Sequence, residues 1–181
     1  MTRRAGSRVL IAALSSFLVA SASASAHPSG ACERFALLPL VAGDTGLPYA
    51  IDPSPAQRRA LAERLGKLIA RRSGPVVDPA RVERVLVSDG YGSSSRRDAC
   101  DDAACARRIG QQLGVRAVIY GSVTRAMALI WGAEVSLVDV ATGTVRGSYQ
   151  VGYKGDYLSL MEGLPPLAQA VENQLGRPFG C

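Results

Sequence analysis

The chain has 181 residues and a formal charge of +6, enough length for one domain with a substantial core. Arg3, Arg4 and Arg8 lie in an N-terminal segment without acidic residues, so its removal would leave +3. The remaining positive residues, nearly all Arg, are scattered, with no basic run or aromatic-studded stripe, which excludes nucleic acid as the expected partner.

The opening segment is basic, then apolar from Val9 to Ala20, then small from Ser21 to Ala26. That is the pattern of a cleavable secretory signal, with cleavage after Ala24-Ser25-Ala26. It divides the chain into a signal over 1–26 and a single domain over 27–181, periplasmic or secreted. The apolar run is shorter than the about 20 residues a bilayer span needs, and no later stretch is more apolar, so no membrane insertion is expected after cleavage. A lipoprotein reading would use Cys32 after Ser29-Gly30-Ala31, but Pro28 and a polar gap separate it from the apolar run. Four cysteines remain, an even number suited to an oxidising compartment. Three pairings are possible. The favoured one joins Cys100 to Cys105, close in sequence, and Cys32 to Cys181, near the two ends.

In chain order, 34–41 is a short apolar run and predicts the first strand, with Pro39 at a bulge, gap or edge. Ser54-Pro55-Ala56-Gln57 is a helix start, combining a cap, a proline at the first helical position and a capping box. Leu61, Leu65, Leu68 and Ile69 form its apolar stripe, and Gly74-Pro75 ends it. Val76-Val77 predicts a brief strand. Asp78-Pro79 then opens a short helix with Val82, Val85 and Leu86 inward, although a strand over 82–87 is an alternative. The polar stretch 88–97 predicts a flexible loop. Asp101 or Asp102 begins the next helix, with Cys105, Ile109 and Leu113 facing the core and Gly114 as its left-handed end. Residues 115–123 are apolar on both faces, as a covered strand requires. Over 129–140, Ala133, Val135 and Leu137 point one way and Glu134 and Ser136 the other. Ala141-Thr142-Gly143 is a hairpin turn. The last strand sets Val145, Tyr149, Val151 and Tyr153 against Arg146, Ser148 and Gln150. Asp156 caps a final helix that Pro165-Pro166 kinks or splits. The fold class is therefore α/β (α+β), a mixed sheet of about five strands with helices packed on it.

The series Cys100-x4-Cys105-Ala-x-x-Ile-Gly-x-x-Leu-Gly-Val, Val118-Ile-Tyr-Gly-Ser-Val, Leu137-Val-Asp-Val-Ala-Thr-Gly and Gly155-Asp156 resembles a family of secreted bacterial domains of unknown function. The Leu-Gly-Val and Tyr-Gly-Ser-Val passages are more distantly similar to the small α/β domain of envelope accessory proteins, including the TolB N-terminal domain, LpoB and CsgG. The resemblance implies that fold and a docking role without chemistry. Pro165-Pro166 departs from the continuous last helix it implies, which puts a docking surface on that helix in doubt.

No usable catalytic set stands out. His27 is the lone histidine, so Ser122 and Ser136 have no base for a triad, and a two-histidine copper site cannot form. Cys100 and Cys105 are spaced by four residues rather than two, and Asp101 and Asp102 oppose a thiolate, so a structural bridge is expected. Asp139, Asp156 and Glu134 could serve a hydrolase only with two of them about 5–10 Å apart across a cleft. Asp139 and Asp156 also suit a turn and a cap for backbone reasons alone. Asp89-Gly-Tyr-Gly-Ser lacks the Lys of a phosphate loop. Trp131, Tyr149 and Tyr153 could form an exposed aromatic patch for a partner, the alternative being core packing. The expectation is a non-enzymatic accessory module that binds another envelope protein and needs no cofactor. The alternative is a small-molecule carrier or sensor, with a pocket between the sheet and the 88–97 loop.

Overall fold

The computed structural model describes residues 35–47, 51–91 and 99–175, all within one unit spanning Ala31–Cys181. The first apolar run forms two pieces, β1 (Phe35–Leu37) and β2 (Val41–Ala42), both parallel to β3 (Ala117–Ala126). Leu37 pairs with Ile119 and Val41 with Ser122, so four steps on one side meet three on the other. The extra residue falls at the exposed Pro39, which has no amide for a ladder; the single strand expected over 34–41 is split by a bulge. Val76 joins the outer side of β1 by one parallel bridge, with the Val77 amide donating to the Phe35 carbonyl at 3.0 Å.

β4 (Ile130–Asp139) runs antiparallel to β3, and β5 (Val145–Lys154) antiparallel to β4, giving the order β1-β3-β4-β5 with β2 also on β3. Between β4 and β5, Leu137 pairs with Gly147 but Val138 with Val145, which leaves Arg146 as an extra residue. That bulge corrects the expected alternation. Val145 is turned off the face of Tyr149 and is 46% exposed. Arg146 is aimed at Asp139 instead, its Nε and a terminal nitrogen donating to one carboxylate oxygen at 3.2 and 2.6 Å.

The helices follow their sequence signals. α1 (Pro55–Ser73) opens on the Ser54 and Gln57 capping box. α2 (Pro79–Ser88) is a helix and not a strand, capped by Asp78 and burying Val82 and Leu86. α3 (Ala103–Leu113) is capped by the Asp102 carboxylate, which accepts from the Cys105 amide at 2.7 Å, and ends on Gly114 at φ 67°. The prolines divide the C-terminal segment into α4 (Tyr157–Glu162), capped by Asp156, and α5 (Leu164–Leu175), with both prolines in the first turn of α5.

Two cores result, one on each face of the sheet. α1, α4 and α5 pack on Phe35, Leu37, Ile119, Val135 and Leu137. α2 and α3 pack on Ala36, Val118, Val138 and Val140. The second pair covers only part of its face. Beyond it, Glu134, Ser148 and Gln150 are exposed.

Candidate functional site

The β3–β4 hairpin turns through Met127, Ala128 and Leu129 at one end of the sheet. Met127 has φ 57°, the sole non-glycine positive value among the described residues. A residue with a Cβ costs about 1–2 kcal/mol in that region relative to its ordinary conformations. Glycine would avoid the cost, yet the position holds a long apolar side chain that is 55% exposed. Leu129 and Ile130 beside it are 56% and 46% exposed. Ile51 joins them, since its amide donates to the Arg125 carbonyl at 3.2 Å, and its side chain too is exposed. The hairpin is held from the other side by the Gly155 amide, which donates to the Leu129 carbonyl at 2.7 Å.

Beneath this apolar end lies a rigid stack. Trp131 packs edge-on against Tyr157 with ring centroids 5.4 Å apart, and the Arg125 guanidinium carbon lies 5.0 Å from the Trp131 centroid. The Tyr157 hydroxyl donates to the Gln57 carbonyl at 2.9 Å, tying α4 to the start of α1, and burial raises its pKa above the ordinary phenol value. Arg125 and the nearby Lys154 have no carboxylate partner among the described residues. The end of the sheet thus offers an apolar surface with cationic neighbours on a fixed support.

Of the two alternatives for Trp131, Tyr149 and Tyr153, an exposed patch or core packing, the structure shows core packing. Trp131 is 2% exposed, because it shares the strand face of Ala133, Val135 and Leu137 and goes into the first core with them. Tyr149 and Tyr153 are half-buried against that same core, and the Tyr153 hydroxyl donates to the Gly163 carbonyl at 2.5 Å. The residues that do reach solvent, Met127, Leu129 and Ile130, were not singled out in the sequence. The available signal was an apolar Met-Ala-Leu-Ile run at a hairpin tip, where polar residues are usual.

The carboxylates do not form a catalytic pair. Asp139 and Asp156 lie at opposite ends of β4, about 30 Å apart along nine residues of strand. Asp139 accepts from the Ala141 and Thr142 amides as well as Arg146. Burial opposes its charge, but Arg146 and these amides outweigh that and hold its pKa below the ordinary value. The backbone amide and then the hydroxyl of Ser159 lower the pKa of Asp156.

Cys100 and Cys105 form a disulfide with Cα atoms 5.5 Å apart, and both are buried in the second core. Cys32 and Cys181 lie outside the described residues, as does most of the 88–97 loop. Its described start is pinned to α3. Asp89 accepts from Gln112 at 2.8 Å and Arg108 at 2.7 Å, and Arg108 also bonds the Tyr91 hydroxyl. The Gln112 bond and then Arg108 lower the Asp89 pKa despite some desolvation. Among the described residues, no group of three His, Cys, Asp or Glu side chains is placed to hold a metal ion.

No protein-family model and no curated protein sequence matches the chain, so the motif resemblance to secreted domains of unknown function has no family match behind it. Solved structures do match. The LpoB C-terminal domain from Salmonella enterica is similar at 15% identity, over 68% of this chain and 84% of that one, with a TM-score of 0.51. Lipoprotein GNA1162 from Neisseria meningitidis is similar at 18% identity, over 81% of this chain and 98% of that one, also at 0.51. E. coli LpoB is similar at 12% identity over 84% of each chain, at 0.51. At these identities the likeness is one of fold: a mixed five-stranded sheet with helices packed on it, as in LpoB.

Proposed function

We propose that the chain is a non-enzymatic accessory module of the bacterial envelope that docks on another envelope protein through the hairpin end of its sheet. The observation that carries the reading is Met127, an exposed apolar side chain kept at a left-handed position and flanked by exposed Leu129, Ile130 and Ile51. Backbone strain retained without benefit to packing points to a use outside the fold. Clustered exposed apolar residues with a cationic rim fit a partner that brings apolar side chains ringed by carboxylates. The signal-like start and the Cys100–Cys105 bridge support export to an oxidising compartment. The shared fold with LpoB and a Neisseria lipoprotein is consistent with an envelope role.

The test is quantitative co-purification from envelope extract with wild type, Leu129→Asp and Trp131→Phe. The reading expects one stoichiometric protein partner, lost with Leu129→Asp at unchanged thermal stability and retained with Trp131→Phe. Identical recovery from wild type and Leu129→Asp would overturn it.

A further inference from the structure

On the other side of α1 lies a groove of about 640 Å³. Its floor is the bulged segment Leu37–Leu40 and Val76–Val77, and its walls are α1 and the start of α2. Along α1 the wall is made by Ala62, Gly66 and Ala70, spaced four apart, so the helix surface there is smooth and apolar. This volume falls within the range of about 300–1,000 Å³ typical of small-molecule sites, which pair an apolar lining with a few placed polar groups. The polar groups are unevenly distributed. Arg58 and Arg59 stand at one end, at the first turn of α1, where no acidic residue offsets the positive helix terminus. The Arg58 Nε is buried and has no hydrogen-bond partner, while one of its terminal nitrogens reaches the Leu40 carbonyl at 3.4 Å. Glu63, Lys67 and Glu83 lie on the rim further along. Glu63 falls between Arg59 and Lys67 at helical spacing of four, which places a cation on each side of it.

We infer that this groove binds a single-chain anionic amphiphile, such as a fatty acid or a lysolipid. Its carboxylate or phosphate sits at Arg58 and Arg59, and its alkyl chain lies along Ala62, Gly66 and Ala70 towards Val76. The anion pairs with the Arg58 and Arg59 guanidinium groups that line this end of the groove, and the tail covers apolar wall otherwise left to water. The proposal is independent of the docking surface, which lies at the hairpin end.

Titration calorimetry of the full chain with dodecanoate below its micelle concentration tests it. Saturable one-to-one binding is expected, tightening by up to about fourfold per added methylene from octanoate upward, the equivalent of about 0.8 kcal/mol per buried CH₂. Arg58→Gln should weaken dodecanoate about tenfold or more and leave dodecyltrimethylammonium binding unchanged. Ala70→Phe should fill the tail end and abolish preference for longer chains. Arg59→Gln serves as a second head-group variant should Arg58→Gln unfold the protein. A comparison of dodecanoate with lysophosphatidylglycerol distinguishes the two head-group sources. The proposal is overturned by any one of three results: no saturable binding of either, equal affinity for the cationic amphiphile, or cross-linking of two copies through Ala70→Cys, which would assign the groove to a second chain.

Discussion

The two faces of the sheet differ in how completely they are covered. On one, α1, α4 and α5 reach from the β1 edge to β5, and Ile119, Val135 and Leu137 are fully buried. On the other, α2 and α3 cover β1 and the adjoining ends of β3 and β4, and the strands then turn polar. Stability is concentrated where the helices lie, and solvated polar surface is concentrated where they stop. The chain connects the two regimes by parity, since each strand residue that enters one core sends its neighbour to the other face.

The comparison predicts a wide spread of mutational costs. The largest belongs to the sealed face: Leu137→Ala should cost about 2–5 kcal/mol in chemical denaturation. Next is the small disulfide loop, where Cys100→Ser with Cys105→Ser should cost about 2–3 kcal/mol, measured against the oxidised wild type. Gly110→Ala comes third, at about 1–3 kcal/mol. A Cβ there would meet methyls of Val140 and Val118, forcing α3 off the sheet, even though alanine favours helix. Asp139 links stability to pH. Its pKa is lowered in the folded state, so its contribution is complete above the unfolded carboxylate value near 4 and is lost as pH falls through the folded value. Asp139→Asn should flatten that acid limb in thermal melts between about pH 5 and pH 2. Smallest is the open face, where Ser148→Ala should change stability by less than about 0.5 kcal/mol, although its hydroxyl pairs with that of Ser136 at 2.7 Å. A cost at Ser148 equal to that at Leu137 would erase the distinction between the faces.

Most of the fold was legible because its signals are local. The Ser54 and Gln57 capping box, Gly114, Gly143 and the proline pair each act on backbone within a few residues, and each did so in the folded chain. The bulge at Arg146 was not legible, because it depends on how β4 meets β5 and on the pull of a buried Asp139. Trp131 was left open between an exposed patch and core packing. Its position two residues before Ala133 already placed it with Val135 and Leu137, and counting that alternation back to the strand start would have buried it. Met127 carries no sign of its left-handed backbone, since glycine or asparagine would normally mark such a turn. The groove was likewise hidden. Ala62, Gly66 and Ala70 are spaced for a second face on α1, but its floor and far wall come from distant segments.

We propose that contact with a partner is made by the apolar hairpin end and not by the polar open face. Photo-cross-linking in living cells addresses it directly, with one reporter residue placed at Leu129 and, separately, at Ser148. A discrete adduct to a single envelope protein from Leu129, absent from Ser148, is the predicted result. An adduct from Ser148 with none from Leu129 would contradict it.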